Sequence, residues 1–338
     1  MEKEASEMEK KFVVIHSTEK EDPVVGMPPE LVRNLEDLFS VVLHQNVLKN
    51  PSVGAKILGA FVRPTRDGRG HRFIQENFDL YPNLKVVANH GVGCDHIDIK
   101  LLNSHGIKVS NTPGVLGDAV AEMGILLMLA SARNLVAAID TAMGPNPVEE
   151  FPMNAVGVQV SSGTVGIIGM GDIGFKVAKR ALAFDMKILY YNRNRRTVED
   201  EAAVGATYCQ LNELLRQSDF VVITCSLTSE TDGMIGKDQF SMMKPTATIV
   251  NLSRGKVIDQ DAMVDALKAN RIRGAALDVS TPEPLPRDHP LLKLSNVILT
   301  PHQGSATDKT RRNMERLMID NVLAGIEGKP LPNEVKLK

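Results

Sequence analysis

Three polar residues stand out for what they could do together: Arg254, Glu283 and His302. Arg254 lies in Asn251-Leu252-Ser253-Arg254-Gly255, Glu283 follows Leu277-Asp278-Val279, and His302 lies in Thr300-Pro301-His302-Gln303-Gly304-Ser305. Each stretch comes after an apolar run that reads as a strand. In an open α/β sheet, ligands bind beyond the C-terminal ends of the strands, so side chains at three successive strand ends are placed to converge. Their types suit the reduction of a 2-oxo acid. That reaction needs a cation for a carboxylate and a polarised carbonyl, which a guanidinium supplies through charge-assisted hydrogen bonds. It also needs a proton donor near neutral pH, and an imidazole ordinarily titrates near ~6.5. A glutamate beside the imidazole would hold the ring and favour its protonated form. Singly, Arg254 could be a surface charge, Glu283 a solvated loop acid and His302 a strand-end cap; as a trio they read as a site.

Such a reduction needs a hydride source, and an earlier stretch can hold one. Residues 164–169 form a buried-strand pattern that runs into Gly169-Met170-Gly171-Asp172-Ile173-Gly174 and opens a helix expected over 175–184. Gly169 permits the tight turn, Gly171 lets the backbone approach a pyrophosphate, and Gly174 allows helix to pack on strand. The free N–H groups at the helix start, around Asp172 and Ile173, would take the pyrophosphate. About 20 residues further on, an NAD site usually carries Asp or Glu for the ribose hydroxyls. Here the chain reads Tyr191-Asn192-Arg193-Asn194-Arg195-Arg196, and no carboxylate appears before Glu199. A guanidinium binds phosphate bidentately, so NADP (NADPH) is favoured, with NAD the alternative. Arg193 is nearest the strand end; Asn192 and Arg195 join the candidates, and the choice between Arg195 and Arg196 stays open. A solvated basic loop is the competing reading.

These residues need a scaffold of parallel strands. Residues 12–16, 41–44, 57–62, 84–89 and 107–110 read as five strands of a first sheet. Residues 164–169, 187–191, 220–224, 247–251, 274–278 and 297–299 form a second series alternating with helical stretches. Between them, residues 117–140 carry a wide apolar face and read as one long helix with Asp118 at its positive end. A Gly/Pro stretch, Gly144-Pro145-Asn146-Pro147, breaks the chain after it. Residues 281–290 carry four prolines and cannot be regular helix. The last segment, 307–325, reads as a helix ended by glycine.

Composition narrows the class. A chain of 338 residues is more than one compact core usually holds. With 24% charged residues, a net charge of −2 and both signs interspersed, no global field recruits nucleic acid or a membrane. No apolar run reaches the roughly 18–20 residues that span a bilayer. Residues 1–11 are charged, lack the apolar core of a secretory signal and carry acids that argue against a mitochondrial leader, so a disordered polar tail and a cytoplasmic protein are expected. Cys94, Cys209 and Cys225 show no metal-ligand or disulfide spacing.

On these residues the chain resembles the D-isomer-specific 2-hydroxyacid dehydrogenases, most nearly their glyoxylate/hydroxypyruvate reductases. The stretches that carry the likeness are GVGCDHID (91–98), NTPGVL (111–116), GIIGMGDIG (166–174), NLSRG (251–255), ALDVSTPEPLP (276–286) and PHQGS (301–305). The resemblance implies an α/β fold of two Rossmann-like domains with parallel sheets and the active site in the interdomain cleft. Residues 12–112 and 306–338 would form a flavodoxin-like substrate-binding domain, and residues 113–305 the dinucleotide-binding domain. It implies that Arg254 is the catalytic arginine, His302 the acid/base histidine and Glu283 the glutamate partner of that histidine. Val92 and Gly93 would bind the substrate carboxylate through backbone N–H groups. Asp278 would contact the nicotinamide carboxamide, Cys225 and Leu227 would flank the adenosine, and Gly304 would belong to the cofactor set. The helix over 117–140 would be the arm of a homodimer, and the partner of the site a small 2-oxo acid.

The chain also departs from the pattern. Val120 stands where the family often has a hydroxyl that holds the cofactor, a loss worth about 0.5–1.5 kcal/mol. There is no tryptophan, whereas relatives usually carry some after the long helix; here that connection, 144–151, has Pro147, Glu150 and Phe151. Gln303 beside the histidine is unusual. The substrate range therefore stays open to a 2-ketogluconate or other sugar-acid reductase with a wider pocket. A non-catalytic, dinucleotide-regulated binding protein is the rival from another class. Formate oxidation would want glutamine in place of Glu283.

Overall fold

The computed structural model describes residues 10–16, 29–63, 72–144 and 156–336. The chain divides into two compact units, Met1–Leu116 with Thr307–Lys338, and Gly117–Ala306. Residues 1–9 of the expected tail, and the connection from Pro145 through Phe151 with Pro147 and Glu150, lie outside the described residues.

The first unit runs β1 (Lys11–Ile15), α1 (Pro29–Leu38), β2 (Phe39–Leu43), α2 (His44–Lys49), β3 (Ile57–Val62), α3 (Phe73–Glu76), β4 (Val86–Asn89), α4 (Ile99–Ser104) and β5 (Lys108–Ser110), and is completed by the chain's last helix, α12 (Asp308–Ile326). Its five strands are all parallel in the order β2-β1-β3-β4-β5. Apolar runs such as FVVI and ILGAFV suit strands covered on both faces. Alternate residues point to opposite sides. Val13, Ile15, Phe61 and Val86 therefore pack with Met318, Val322 and Ile326 of α12, while Val14, Ala60, Val62 and Val87 pack with Phe73, Tyr81 and Leu102.

Two expectations are corrected in this unit. His44 does not end a strand; it opens α2, is buried, and hydrogen-bonds to the Tyr81 hydroxyl. Burial, and then the nearby charge of His16, push its pKa down to about 4. Gly325 does not end α12 either. It lies inside the helix, where a Cβ would come within 2.5 Å of the Val86 side chain, so glycine is needed for the approach of helix to strand. The chain turns after the helix at Gly328, with φ +74°.

The second unit runs α5 (Gly117–Ala132), α6 (Leu135–Met143), β6 (Thr164–Ile168), α7 (Asp172–Leu182), β7 (Lys187–Tyr191), α8 (Val198–Val204), β8 (Ala206–Tyr208), α9 (Leu211–Gln217), β9 (Phe220–Ile223), α10 (Lys237–Met242), β10 (Thr248–Asn251), α11 (Gln260–Lys268), β11 (Gly274–Leu277) and β12 (Val297–Leu299). Its seven parallel strands lie in the order β12-β11-β10-β9-β6-β7-β8. The chain builds outward from β6 through β7 to β8, then crosses back to β9 on the other side of β6. The β6/β9 boundary is thus the point where strand order reverses, the position at which doubly wound sheets bind ligands. Asn251 at the end of β10 pairs with Ile223 of β9 and Leu277 of β11, and Leu277 pairs with Leu299 of β12, so the loops after these strands begin at one level.

The expected single helix over 117–140 is broken. α5 ends in the turn Arg133-Asn134, Asn134 takes the left-handed conformation (φ 50°), and α6 leaves at an angle of 64°. Asparagine tolerates this conformation. Arg273 secures the corner: its guanidinium donates to Ser131 O (3.0 Å), Ala132 O (3.1 Å) and Asn134 Oδ1 (3.0 Å), satisfying carbonyls that a helix end leaves open. α5 is largely buried, whereas α6, with Leu135, Val136 and Ile139, buries none of its residues. Among the described residues no single helix is long and apolar enough to cross a membrane.

Candidate active site

Three loops of the second unit carry the predicted trio. After β10, Asn251 shapes the first: its Oδ1 accepts from Ser253 N (3.0 Å) and its Nδ2 donates to Arg254 O (2.9 Å). Arg254 itself donates through Nη1 to Ser253 O at 2.9 Å. After β11, Glu283 accepts from Ser280 N through Oε1 (3.0 Å), which leaves Oε2 bonded to His302 Nδ1 at 2.9 Å. Burial raises the pKa of Glu283. The hydrogen bond and charge of His302, the Ser280 N–H and the charge of Arg254 outweigh it and hold the carboxyl below the usual range. Histidine and glutamate are both open to solvent, at 46% and 38% of their side-chain surface, which a group exchanging protons with a ligand requires.

The backbone at His302 is left-handed (φ 52°), an uncommon state for a residue other than glycine that something must hold. Asp278 holds it. This buried carboxylate accepts from Thr300 Oγ1 (2.6 Å), Gln303 N (2.9 Å) and Gly304 N (2.8 Å), while its carbonyl accepts from His302 N (2.8 Å). A Cβ at Gly304 would lie 2.9 Å from Asp278 Oδ2 and 3.4 Å from Val120, so the loop closes on both. This scaffolding by Asp278 is not marked in the sequence beyond an acid at a strand end.

The glycine motif lies at the β6/β9 boundary. Gly169 has φ +99°, and a Cβ there would meet Cys225 N at 2.4 Å; a Cβ at Gly174 would meet Gly169 O at 2.1 Å. Gly171 differs: a Cβ would find nothing within 4 Å, and α7 starts from it with no side chain capping the helix. Asp172 is exposed and Ile173 half-buried in that first turn. A helix start of this kind, reached by a bare backbone, fits a dinucleotide pyrophosphate. Leu227 is half-buried against the core, and burial pushes the Cys225 thiol up to about 11, which makes it an inert wall rather than a nucleophile.

The three arginines after β7 do three different things. Arg193 is exposed, with Glu230 Oε2 3.9 Å away. Arg195 donates through Nε and Nη2 to both oxygens of Glu201, each at 2.8 Å. Arg196 donates to Met170 O (2.7 Å), Gly171 O (3.0 Å) and Asp200 (3.1 Å), and Asn192 Oδ1 accepts from Met170 N at 3.2 Å. The carboxylates that engage Arg195 and Arg196 come from α8, one helical turn beyond the loop.

In the first unit, the loop after β4 holds Val92 and Gly93. Asn89 Nδ2 donates to Gly91 O (3.2 Å) and Gly93 O (3.0 Å), and Asn111 Nδ2 to Val92 O (2.8 Å). Three successive carbonyls are thereby taken up by side-chain amides, which lowers the negative potential that an approaching carboxylate would meet. The same unit holds a set that sequence reading missed. Arg63 after β3 pairs with Glu315 of α12 at 2.7 Å, His90 after β4 lies 3.5 Å from Glu315, and Arg311 lies 3.3 Å from His90.

Residues 125–304 match the sequence profile of the D-isomer specific 2-hydroxyacid dehydrogenase, NAD binding domain, which is more than half of the chain. The chain belongs to the D-isomer-specific 2-hydroxyacid dehydrogenase family. It is an NAD(P)-dependent dehydrogenase, in agreement with the trio and the glycine loop. It is 47% identical over 262 residues to a glyoxylate reductase of Korarchaeum cryptofilum, covering 77% of this chain and 78% of that one. It is 42% identical over 255 residues to the human glyoxylate reductase/hydroxypyruvate reductase, covering 75% of this chain and 78% of the relative. Among solved structures, the NADPH-dependent glyoxylate/hydroxypyruvate reductase of Sinorhizobium meliloti, in complex with NADP and malonate, superposes on the dehydrogenase with a TM-score of 0.78. It shares 28% identity and covers 96% of each chain.

Proposed function

We propose that the dehydrogenase uses NADPH to reduce a small 2-oxo acid of the glyoxylate or hydroxypyruvate type to the D-2-hydroxy acid. The observation that carries this reading is the His302–Glu283 pair at 2.9 Å, open to solvent beside Arg254 on a loop that buried Asp278 holds in place. NADPH, when bound, would supply the hydride for the carbonyl carbon. Protonated His302 gives its Nε2 proton to the carbonyl oxygen, and Glu283, bonded at Nδ1, holds the ring and offsets the imidazolium charge. Arg254 binds the substrate carboxylate and polarises the carbonyl. The Val92 and Gly93 N–H groups are assigned to the same carboxylate. Relatives named glyoxylate reductase support the substrate class.

The choice of NADPH rests on Arg193, the most loosely paired of the three arginines, with Glu230 at 3.9 Å against 2.8 Å and 3.1 Å for the carboxylates on Arg195 and Arg196. Asp278 is assigned to positioning His302, with the nicotinamide carboxamide as a further contact. The apolar and unburied α6 supports a homodimer formed through the α5–α6 arm. Absorbance at 340 nm tests the reading, with NADPH and NADH compared across glyoxylate, hydroxypyruvate and 2-ketogluconate. Rapid NADPH oxidation with either of the first two is the expected result. Preference for NADH overturns the cofactor choice, a 2-ketogluconate preference overturns the substrate, and tight NADPH binding without turnover favours a regulatory binding protein.

A further inference from the structure

We infer that Arg196 is a positioning residue of the glycine-rich loop and not a ligand of the ribose phosphate. The inference rests on the dinucleotide reading of that loop but not on the choice between NADP and NAD.

Each of the three guanidinium nitrogens of Arg196 is engaged. Nε and Nη2 donate to the carbonyls of Met170 and Gly171, Nη1 meets Asp200, and the guanidinium lies 5.1 Å over the Phe175 ring in the first turn of α7. Its backbone N–H donates to the Tyr190 hydroxyl at 2.9 Å, and that hydroxyl donates to Glu201 at 2.6 Å. The residue is thus anchored to β7, the loop and α7 together.

The electrostatic consequence follows from what it binds. A pyrophosphate site works because N–H dipoles converge on the anion while carbonyls are kept away or neutralised. Met170 and Gly171 carry the two carbonyls nearest the start of α7. A cation bonded to both offsets their negative ends, the Gly171 carbonyl also accepting the Phe175 N–H at 3.0 Å, and leaves the helix start more positive. Asn192 completes the brace by taking the Met170 N–H. Such a device acts on the pyrophosphate, which NADPH and NADH share, whereas a phosphate ligand acts on the 2′-phosphate, which only NADPH has.

The two roles separate in binding measurements on the full-length enzyme. Nicotinamide fluorescence would give Kd for NADPH and NADH in the parent, Arg196→Gln and Arg193→Gln. Loss of two carbonyl bonds in Arg196→Gln should raise both Kd values by about the same factor, roughly tenfold. KM for the cofactor should rise with them, while kcat at saturation and KM for the 2-oxo acid stay at parent values. A merely structural role would instead reduce kcat and melting temperature and leave cofactor KM unmoved. Arg193→Gln should weaken NADPH and spare NADH. An Arg196→Gln protein that loses NADPH affinity ten times more than NADH affinity overturns the inference, as does one whose Kd values match the parent. Should that variant fail to fold, Arg196→Lys keeps the charge, and the same equal-factor criterion applies. In a parent that prefers NADH, an equal loss still supports the brace and rejects only the cofactor choice.

Discussion

Each unit brings an arginine, a glutamate and a histidine within electrostatic reach of one another, and the two sets are held in opposite ways. Arg63, Glu315 and His90 of the first unit lie at strand ends and on α12, as Arg254, Glu283 and His302 of the second lie on strand-end loops. The difference is access to water. The Arg63 and Glu315 side chains are 8% and 1% exposed, against 46% and 38% for His302 and Glu283. In the buried set, burial pushes Glu315 up and Arg63 down, and their mutual attraction only partly opposes it. The 2.7 Å contact is also poorly aligned as a hydrogen bond. In the open set the balance reverses, and Glu283 is held below the usual carboxylate range. Residue type and strand-end placement are thus common to both sets, and exposure to solvent is what separates them.

Four variants test this contrast, and the largest effect should come from His302. His302→Ala should lower kcat by about 10²–10⁴-fold, the usual worth of a positioned general acid, while the melting temperature stays within a few degrees. Near-parent turnover would remove His302 from the reaction. Next, Glu315→Ala should destabilise folding by about 3–5 kcal/mol in chemical denaturation, because it leaves Arg63 charged and buried. The folded fraction should keep parent kcat. A double replacement, Arg63→Met with Glu315→Leu, should recover part of that loss, since an apolar pair avoids the desolvation of two ions while Arg311 still loses the nearby Glu315 charge. If the double variant is as unstable as the single one, the pair has a role beyond its own burial. The smallest change is expected for Glu283→Gln, less than about 1 kcal/mol in stability, because the pair is half exposed. Its sign can still be read from pH. A carboxylate with a lowered folded pKa stabilises fully above the ordinary value of about 4.3 and loses that contribution as pH falls through the lowered one. Melting curves of parent and variant should run parallel near neutrality and converge in acid.

Much of the scaffold was legible because strands buried on both faces must be apolar runs. The runs at 57–62, 187–191 and 297–299 match β3, β7 and β12 at both ends. β8 escaped notice: it is three residues long, at the sheet edge, with only Ala206 buried. The break at Asn134 escaped because the apolar pattern continues across it and no Gly or Pro interrupts the chain. The placement of Arg254, Glu283 and His302 on the loops after β10, β11 and β12 was legible, whereas the sorting of the arginines was not. Glu201 and Asp200 reach back from α8, a contact decided by where that helix packs. The buried Arg63–Glu315 pair joins residues far apart in the chain, and no local signal announces it.

The anchoring of His302 has one more consequence. Asp278 meets its neighbour at position 303 through the main-chain N–H, which every residue except proline possesses. The unusual Gln303 is therefore compatible with an undisturbed histidine. Identity at that position is free to drift, by selection or in the laboratory, while His302 stays where Asp278 fixes it. A loop built this way separates what the protein turns over from how it does so, and position 303 is a natural place to begin retuning one without losing the other.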